Sequence, residues 1–183
     1  IASPLNLFDC SPITDGAAAI ILSAKPDTTT DVSITASAVA TDQVELAKRK
    51  SLTELLSTKI AAQNAYKQAG IKAGDINLAE VHDCFTIAEI LAIEDLGFFK
   101  KGSGGKFTEN GTTQLNGKLP INTSGGLKAC GHPVGATGVK QIIEITNQLQ
   151  QKAEKRQIKN PKIGLTHNVG GSGATAVVHI LQI

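Results

Sequence analysis

The stretch that most constrains this 183-residue chain is a glycine-dense loop that leads into a helical pattern, Asn122-Thr-Ser-Gly-Gly-Leu-Lys-Ala-Cys-Gly-His-Pro-Val-Gly-Ala-Thr-Gly138. Its glycines allow tight turns and a close approach of the backbone to a ligand. His132 stands where the loop ends, and Pro133 suits the first position of a helix. An imidazole held at the mouth of a helix favours chemistry on a group that develops negative charge.

Periodic apolar residues predict strands and helices in alternation along the rest of the chain. Strands are predicted over residues 17–22, 32–40, 75–81, 162–166 and 174–183, and helices over 51–69, over 86–96 and after Pro133. Residues 25–30 are typical of a linker, and 100–118 of an exposed excursion. Without the first run, the order is β-α-β-α-loop-α-β-β, which predicts an α/β fold with a sheet covered by helices on both faces.

Two of the helices have specific boundary and packing signals. Ser51-Leu-Thr-Glu54 has the pattern of a capping box, and Gly70 is the expected stop of that helix. In each of these two helices, apolar residues mostly three or four apart are expected to form the face that packs on the core. They are Leu52, Leu55, Leu56, Ile60 and Ala65 in the first helix, and Val139, Ile142, Ile143 and Leu149 in the helix after the glycine loop.

Charge and cysteine content narrow the class of protein. The net charge is +2 with scattered lysines and arginines, so nucleic acid and anionic membranes are not expected partners. No stretch approaches a membrane span, and the N-terminus lacks a signal-peptide layout. Three widely spaced cysteines indicate a reducing compartment, and we expect a cytoplasmic protein. Because the first residue is Ile, we expect a piece of a longer chain.

Three stretches carry residues suited to chemistry, and each also has a structural interpretation. In His82-Asp-Cys-Phe85, Cys84 lies beside a helix start, where a thiol ionises more easily, or it is a small core residue beside a capping Asp83. His132 is the favoured functional histidine because glycines surround it. His167-Asn-Val-Gly-Gly-Ser-Gly173 either connects two strands tightly or presents backbone N–H groups to an oxyanion.

Metal and nucleotide binding find weaker support in the sequence. His82, Cys84, Cys130, His132 and His167 are candidate metal ligands, but no Cys-x-x-Cys or His-Glu-x-x-His spacing is present. A zinc hydrolase is therefore the third hypothesis. The Walker phosphate loop and the dinucleotide fingerprint are both unmatched.

Together the three stretches resemble the C-terminal half of a thiolase. Asp15-Gly-Ala-Ala-Ala-Ile-Ile-Leu22 resembles the segment that closes the N-terminal half of that family, and Gly131-His-Pro-Val-Gly-Ala-Thr-Gly138 resembles its histidine loop. His82-Asp-Cys-Phe85 resembles the sterol-carrier-protein-type branch, which includes many archaeal enzymes. The resemblance implies a mixed central sheet, with residues 1–27 as a remnant of the preceding half plus linker and 28–183 as the C-terminal domain.

The resemblance also implies a role for each site residue. His132 would activate a nucleophilic cysteine and hold the thioester oxygen, and Cys84 would move a proton to or from the α-carbon. His82 would replace the asparagine that organises the oxyanion site. The family's Cys-x-Gly motif is absent, and its place is assigned to His167. The backbone around Val169 and Gly170 would line a second oxyanion hole.

The expected function is that of an acyl-CoA C-acyltransferase, which makes or cleaves 3-oxoacyl-CoA by Claisen chemistry. Coenzyme A thioester would be a substrate, and no covalently bound cofactor or metal is expected. The family's acylated cysteine belongs to the N-terminal half, and Cys10 does not match it, so we expect this chain to be inactive alone. The expected partners are acyl-CoA, the missing half and a second copy in the full-length form. The alternative is a non-catalytic acyl-CoA-binding or scaffold subunit.

Overall fold

A computed structural model describes residues 2–24 and 31–183. Its sheet has four strands in the order β1-β4-β3-β2, in which β2 and β3 run parallel and the other neighbours run antiparallel. The strands are β1 (Ser33–Thr41), β2 (Leu78–Glu80), β3 (Ile163–Gly170) and β4 (Thr175–Gln182). The α-helices are α1 (Leu56–Ala69), α2 (Thr86–Asp95), α3 (Gly104–Glu109), α4 (Gly126–Cys130) and α5 (Thr137–Leu149).

Helices cover both faces of this sheet. On one face, α1 and α2 pack buried alanines and larger apolar side chains against alternate residues of the strands. On the other face, Ile145 and Leu149 of α5 pack against Leu78 and Leu181. The predicted α/β fold, with a mixed central sheet between two helical layers, is confirmed.

The strand predicted over residues 17–22 is wrong. This run has no regular secondary structure, and its side chains Ile21 and Leu22 are 97% and 71% exposed. An apolar run forms a strand only where a neighbouring strand satisfies its backbone N–H and C=O groups, and the described residues offer this run none. The predicted linker over 25–30 lies outside the described residues.

The capping box predicted at Ser51 is also wrong. The Ser51 hydroxyl accepts a hydrogen bond from the backbone N–H of Thr53 at 3.2 Å, and α1 begins only at Leu56. The face of α1 that packs on the sheet consists of small residues, whereas Leu52 is 70% exposed. Small side chains occupy this face because they let the helix backbone approach the sheet closely. The buried residues of α1 are Ser57, Thr58, Ala61, Ala62 and Ala65, and of the predicted face only Ala65 is among them.

Helix α5 departs from its predicted start and face. It begins at Thr137 rather than at Pro133, and of the four predicted core residues only Leu149 is fully buried. The buried face is largely polar because its amides and carboxylate find hydrogen-bond partners, which removes the penalty for burying them. Its buried members are Thr137, Gln141, Glu144, Ile145, Gln148 and Leu149.

The segment 100–118 and the end of β3 differ from the prediction, whereas the glycine stop of α1 agrees with it. The predicted excursion over residues 100–118 contains α3, whose first residue Gly104 is buried and donates its N–H to Glu94 at 2.7 Å. Strand β3 continues to Gly170, so residues 167–170 belong to a strand rather than to the connecting turn. Gly70, at φ 69°, follows α1 as predicted, and Gly97, at φ 82°, stands two residues after the end of α2.

Candidate active site

Two hydrogen bonds fix His132 at the end of the glycine loop, one through its backbone and one through its ring. Its backbone N–H donates to the Pro12 carbonyl at 3.1 Å, and its ring Nδ1 lies 2.8 Å from the Thr137 hydroxyl. That hydroxyl donates to the Pro133 carbonyl at 3.2 Å, so it accepts the hydrogen of His132 Nδ1. In the neutral ring, Nε2 then carries the lone pair, which is the form of imidazole that removes a proton from a thiol.

Glycine is required immediately before His132. Gly131 has φ 77°, and a Cβ at this position would collide with the side chain of Thr14. The segment that precedes the apolar run therefore packs directly on the histidine loop. It also donates the Ser11 N–H to the Cys84 carbonyl at 3.0 Å, so residues 11–12 join two of the three predicted stretches.

His82 follows strand β2 and meets His132 edge to face. The two ring centroids are 5.0 Å apart with an interplanar angle of 76°. Burial lowers the pKa of His82, and the neighbouring His132 lowers it further, so the ring is neutral at neutral pH. The fold thus brings together two histidines that are 50 positions apart in the chain.

Asp83 ties the segment of His82 to the glycine loop. Its carboxylate accepts the Leu127 N–H at 2.9 Å at the start of α4. A Cβ on residue 126 would collide with this carboxylate, so glycine is needed there. The suggestion that Asp83 caps α2 is wrong, because the residue before that helix is Phe85 and no side chain caps it. Burial raises the pKa of Asp83.

Cys84 is half-buried between this carboxylate and the start of α2. Burial raises the pKa of its thiol, and the backbone N–H of Phe85 opposes that effect without overcoming it. The expected easier ionisation beside the helix start is therefore wrong, because removal from water outweighs the helix N-terminus. A thiol that stays protonated is suited to donate a proton.

The beginning of the glycine loop is anchored on a buried carboxylate. Glu80, at the end of β2, accepts the Ser124 N–H at 3.0 Å and the Thr123 hydroxyl at 3.2 Å. Asn122, at φ 53°, accepts the Val81 N–H at 2.8 Å. The loop thus leaves the sheet beside β2 with its polar groups satisfied, and this sets the position from which it reaches His132.

Asn168 is a site residue that the sequence reasoning missed. Its Oδ1 lies 2.8 Å from His82 Nδ1, whereas His167 is fully buried toward α1, with Nε2 2.9 Å from the Thr58 hydroxyl. Burial lowers the pKa of His167 to about 3. The assignment of the Cys-x-Gly place to His167 stays a prediction, but the side chain of this stretch that contacts His82 is Asn168 rather than His167.

Val169 and Gly170 occupy the last positions of β3. The Val169 side chain packs on the apolar cluster beneath α1 and α2, and the exposed Gly170 accepts the Gly173 N–H at 3.1 Å. Both residues pair with β4, at Ala176 and Thr175. Their role in holding an oxyanion stays a prediction.

The described residues carry neither a metal cluster nor a membrane-spanning helix. Within residues 2–24 and 31–183, no cluster of three or more His, Cys, Asp and Glu side chains could hold a metal ion. None of the helices there combines the length and apolar character needed to cross a bilayer.

The family model for thiolase C-terminal domains matches residues 38–183. The chain belongs to the thiolase family. The acetyl-CoA acetyltransferase of Methanothermobacter thermautotrophicus is 53% identical over all of this chain and 49% of its own length. Human sterol carrier protein 2 is 37% identical over 94% of this chain and 33% of its own length. This thiolase domain thus spans half or less of the curated relatives that it matches.

The solved structure of the Ltp2-ChsH2(DUF35) aldolase has the same fold. It superposes with a TM-score of 0.81 over the whole domain and 48% of that chain, at 22% sequence identity. The resemblance predicted from the three motifs is confirmed by these comparisons, including relatives in the archaeal and sterol-carrier-protein groups.

Proposed function

We propose that this domain is the C-terminal catalytic half of an acyl-CoA C-acyltransferase that makes or cleaves 3-oxoacyl-CoA. The observation that carries the proposal is the 5.0 Å pairing of His132 with His82, with both Nδ1 atoms occupied by hydrogen bonds. Two imidazoles whose Nδ1 atoms are already hydrogen-bonded keep their Nε2 atoms for one thioester: one acts as a base, the other as an organiser of groups around the carbonyl oxygen.

His132 takes the proton of a nucleophilic cysteine on its Nε2 as that cysteine attacks the thioester carbonyl. The resulting imidazolium donates the same hydrogen to the oxygen, which has gained negative charge. Expulsion of the coenzyme A thiolate leaves the acyl-enzyme. Thr137 supports this cycle, because its hydroxyl holds Nδ1 and so keeps the ring in one orientation.

Cys84 acts in the carbon–carbon step. On cleavage its neutral thiol gives a proton to the α-carbon of the departing acetyl group, and its raised pKa favours that protonated form. On condensation the thiolate removes the same proton from the α-carbon. Beyond Thr166, β3 pairs only with β4 among the described residues, which leaves N–H groups near Val169 and Gly170 free of a second strand. These N–H groups are candidates to hold the enolate oxygen.

The nucleophilic cysteine is proposed to lie in the preceding half of the full-length protein. Cys10 is a poor substitute, since its thiol donates to the Asn6 carbonyl, 3.9 Å away and within its own segment. Exposed apolar side chains lie along the first described residues and fit burial against that missing half. They are Leu7, Phe8, Ile13, Ile21 and Leu22. A cytoplasmic, homo-oligomeric full-length enzyme completes the proposal.

The test compares the 183-residue chain with the full-length protein in acetoacetyl-CoA thiolysis. We expect turnover and a covalent acyl-enzyme, detected by mass spectrometry, only with the full-length protein. Turnover by the 183-residue chain that Cys10→Ala abolishes would contradict the placement of the nucleophile. Acyl-CoA binding by the full-length protein without any acyl-enzyme would favour the alternative of a non-catalytic binding or scaffold subunit.

A further inference from the structure

A chain of three side-chain hydrogen bonds runs from His82 into the interior between β3 and α5. His82 Nδ1 lies 2.8 Å from Asn168 Oδ1, and Asn168 Nδ2 donates to Gln141 Oε1 at 2.6 Å. Gln141 Nε2 then donates to the backbone carbonyl of His167 at 3.2 Å. Gln141 and His167 are 3% and 1% exposed, so the inner end of this relay is shielded from water.

The direction of the relay is set at its inner end. A side-chain amide can be turned so that its oxygen and nitrogen exchange places, but a backbone carbonyl is only an acceptor. The His167 carbonyl lies in a strand that is paired with Val178. If the Gln141 amide turned, its oxygen would face that carbonyl, and two buried acceptors would be left without a hydrogen between them.

The orientation of the Asn168 amide follows from that of Gln141. With Gln141 Oε1 fixed as an acceptor, Asn168 must present its NH₂ group inward and its Oδ1 to His82. An acceptor at His82 Nδ1 requires the hydrogen on that nitrogen. A neutral His82 then has a lone pair on Nε2.

We infer that Gln141 and Asn168 are positioning residues that hold His82 in the Nδ1–H tautomer, so that its Nε2 accepts a hydrogen bond in the site rather than donating one. This inference rests on the proposed function only for its catalytic consequence. A lone pair cannot stabilise an oxyanion directly. A water molecule that donates one hydrogen to Nε2 has its other hydrogen free for the thioester oxygen.

The tautomer is measured directly by ¹⁵N NMR of the histidine rings in the 183-residue chain, without any turnover. The chain has four histidines, and a His82→Gln sample identifies the His82 signals. We expect a protonated Nδ1 and an unprotonated Nε2 in the wild-type chain at neutral pH. A protonated Nε2 on His82 in the wild-type chain would overturn the inference, whatever the variants do.

Two glutamines of α5 provide a matched pair of variants. Gln141 and Gln148 are seven residues apart on the buried face, and each donates to a backbone carbonyl, but only Gln141 reaches Asn168. Gln141→Met should lower the ratio of the Nδ1–H to the Nε2–H tautomer about fivefold, as expected for one lost hydrogen bond. Gln148→Met should leave the ratio unchanged. Equal shifts in both variants would mean general loosening and would overturn the relay.

The catalytic consequence is tested separately in the full-length enzyme. Gln141→Met should lower kcat of acetoacetyl-CoA thiolysis by a factor similar to the tautomer shift, with little change in KM, whereas Gln148→Met should not. A shifted tautomer with unchanged kcat would support the relay and overturn the proposed role of His82. An Asn168→Leu variant, which lacks any acceptor for Nδ1, should lose the Nδ1–H preference altogether.

Discussion

On the face of the sheet covered by α1 and α2 the buried side chains are mainly alanines and larger apolar groups, whereas α5 buries two glutamines and a glutamate beside its apolar residues on the other face. The mainly apolar face depends chiefly on the right volumes. The polar face needs every donor and acceptor matched, and each match fixes the direction of a side chain. His82 joins the polar side through Asn168, so the site is built where side-chain orientation is most strongly determined.

The largest expected effect comes from removing the imidazole of His132. His132→Ala in the full-length enzyme should slow acyl-enzyme formation roughly 10⁴-fold or more, because it removes both the base and the donor to the oxyanion. Single-turnover mass spectrometry measures this rate. His179→Gln, a change to a histidine in β4, serves as the control and should leave the rate intact. Acylation at the wild-type rate in His132→Ala would refute the assignment.

A second substitution separates the two chemical steps. Cys84→Ala should leave acylation by acyl-CoA near its wild-type rate and slow carbon–carbon bond formation or cleavage by roughly 10²–10⁴-fold, as for loss of a general acid or base. Burst-phase kinetics distinguish the steps. Cys10→Ala changes a thiol in the segment that pairs with Phe85 and is the matched control. Full condensation activity in Cys84→Ala would end the proposed role.

On the face covered by α1 and α2, stability should instead depend on side-chain volume. Ala65, fully buried on α1, has no space for a larger side chain, so Ala65→Leu should lower the free energy of unfolding by about 1–3 kcal/mol. Gln63→Leu, at an exposed position of the same helix, should change it by less than about 0.5 kcal/mol. Urea denaturation of the 183-residue chain measures both values. Equal stability of the two variants would mean that this face is loosely packed.

A last expected effect, on the pH dependence of stability, concerns a carboxylate beside the site. Burial raises the pKa of Glu89 from 4.5 to about 7, and its Oε2 accepts a hydrogen bond from Asn122 at 2.8 Å. A raised folded-state pKa contributes stability that is complete below pH 4.5 and is lost as the pH rises through about 7. Urea midpoints should therefore fall between pH 5 and pH 8.

Glu89→Gln supplies the comparison for this pH dependence. The variant cannot titrate at this position, and its amide oxygen still accepts from Asn122, so its midpoint should fall less over the same pH interval. Parallel pH curves for the wild-type and variant chains would show that Glu89 is already ionised at pH 5 in the folded protein.

The family and the layered α/β fold were predictable from the sequence, because both depend on local patterns. The motif around His132 and the segment His82-Asp-Cys-Phe85 indicated a thiolase, and the comparisons confirm it. Glycine signals were also reliable: Gly70 and Gly131 adopt backbone conformations with positive φ, which other residues rarely take. These signals need no knowledge of what packs against them.

The predictions that failed depended on contacts between distant parts of the chain. The apolar run over residues 17–22 is exposed because no described strand lies beside it, and Leu52 is exposed because α1 begins at Leu56. The thiol of Cys84 resists ionisation because of burial that its neighbours in sequence do not reveal.

The sequence by itself determined which chemical groups are present and which family arranges them, since motif and spacing are properties of the chain. Only the tertiary structure decided that Asn168 rather than His167 reaches His82. Successive residues of a strand point to opposite faces, so a shift of one position moves a side chain from the site to the core.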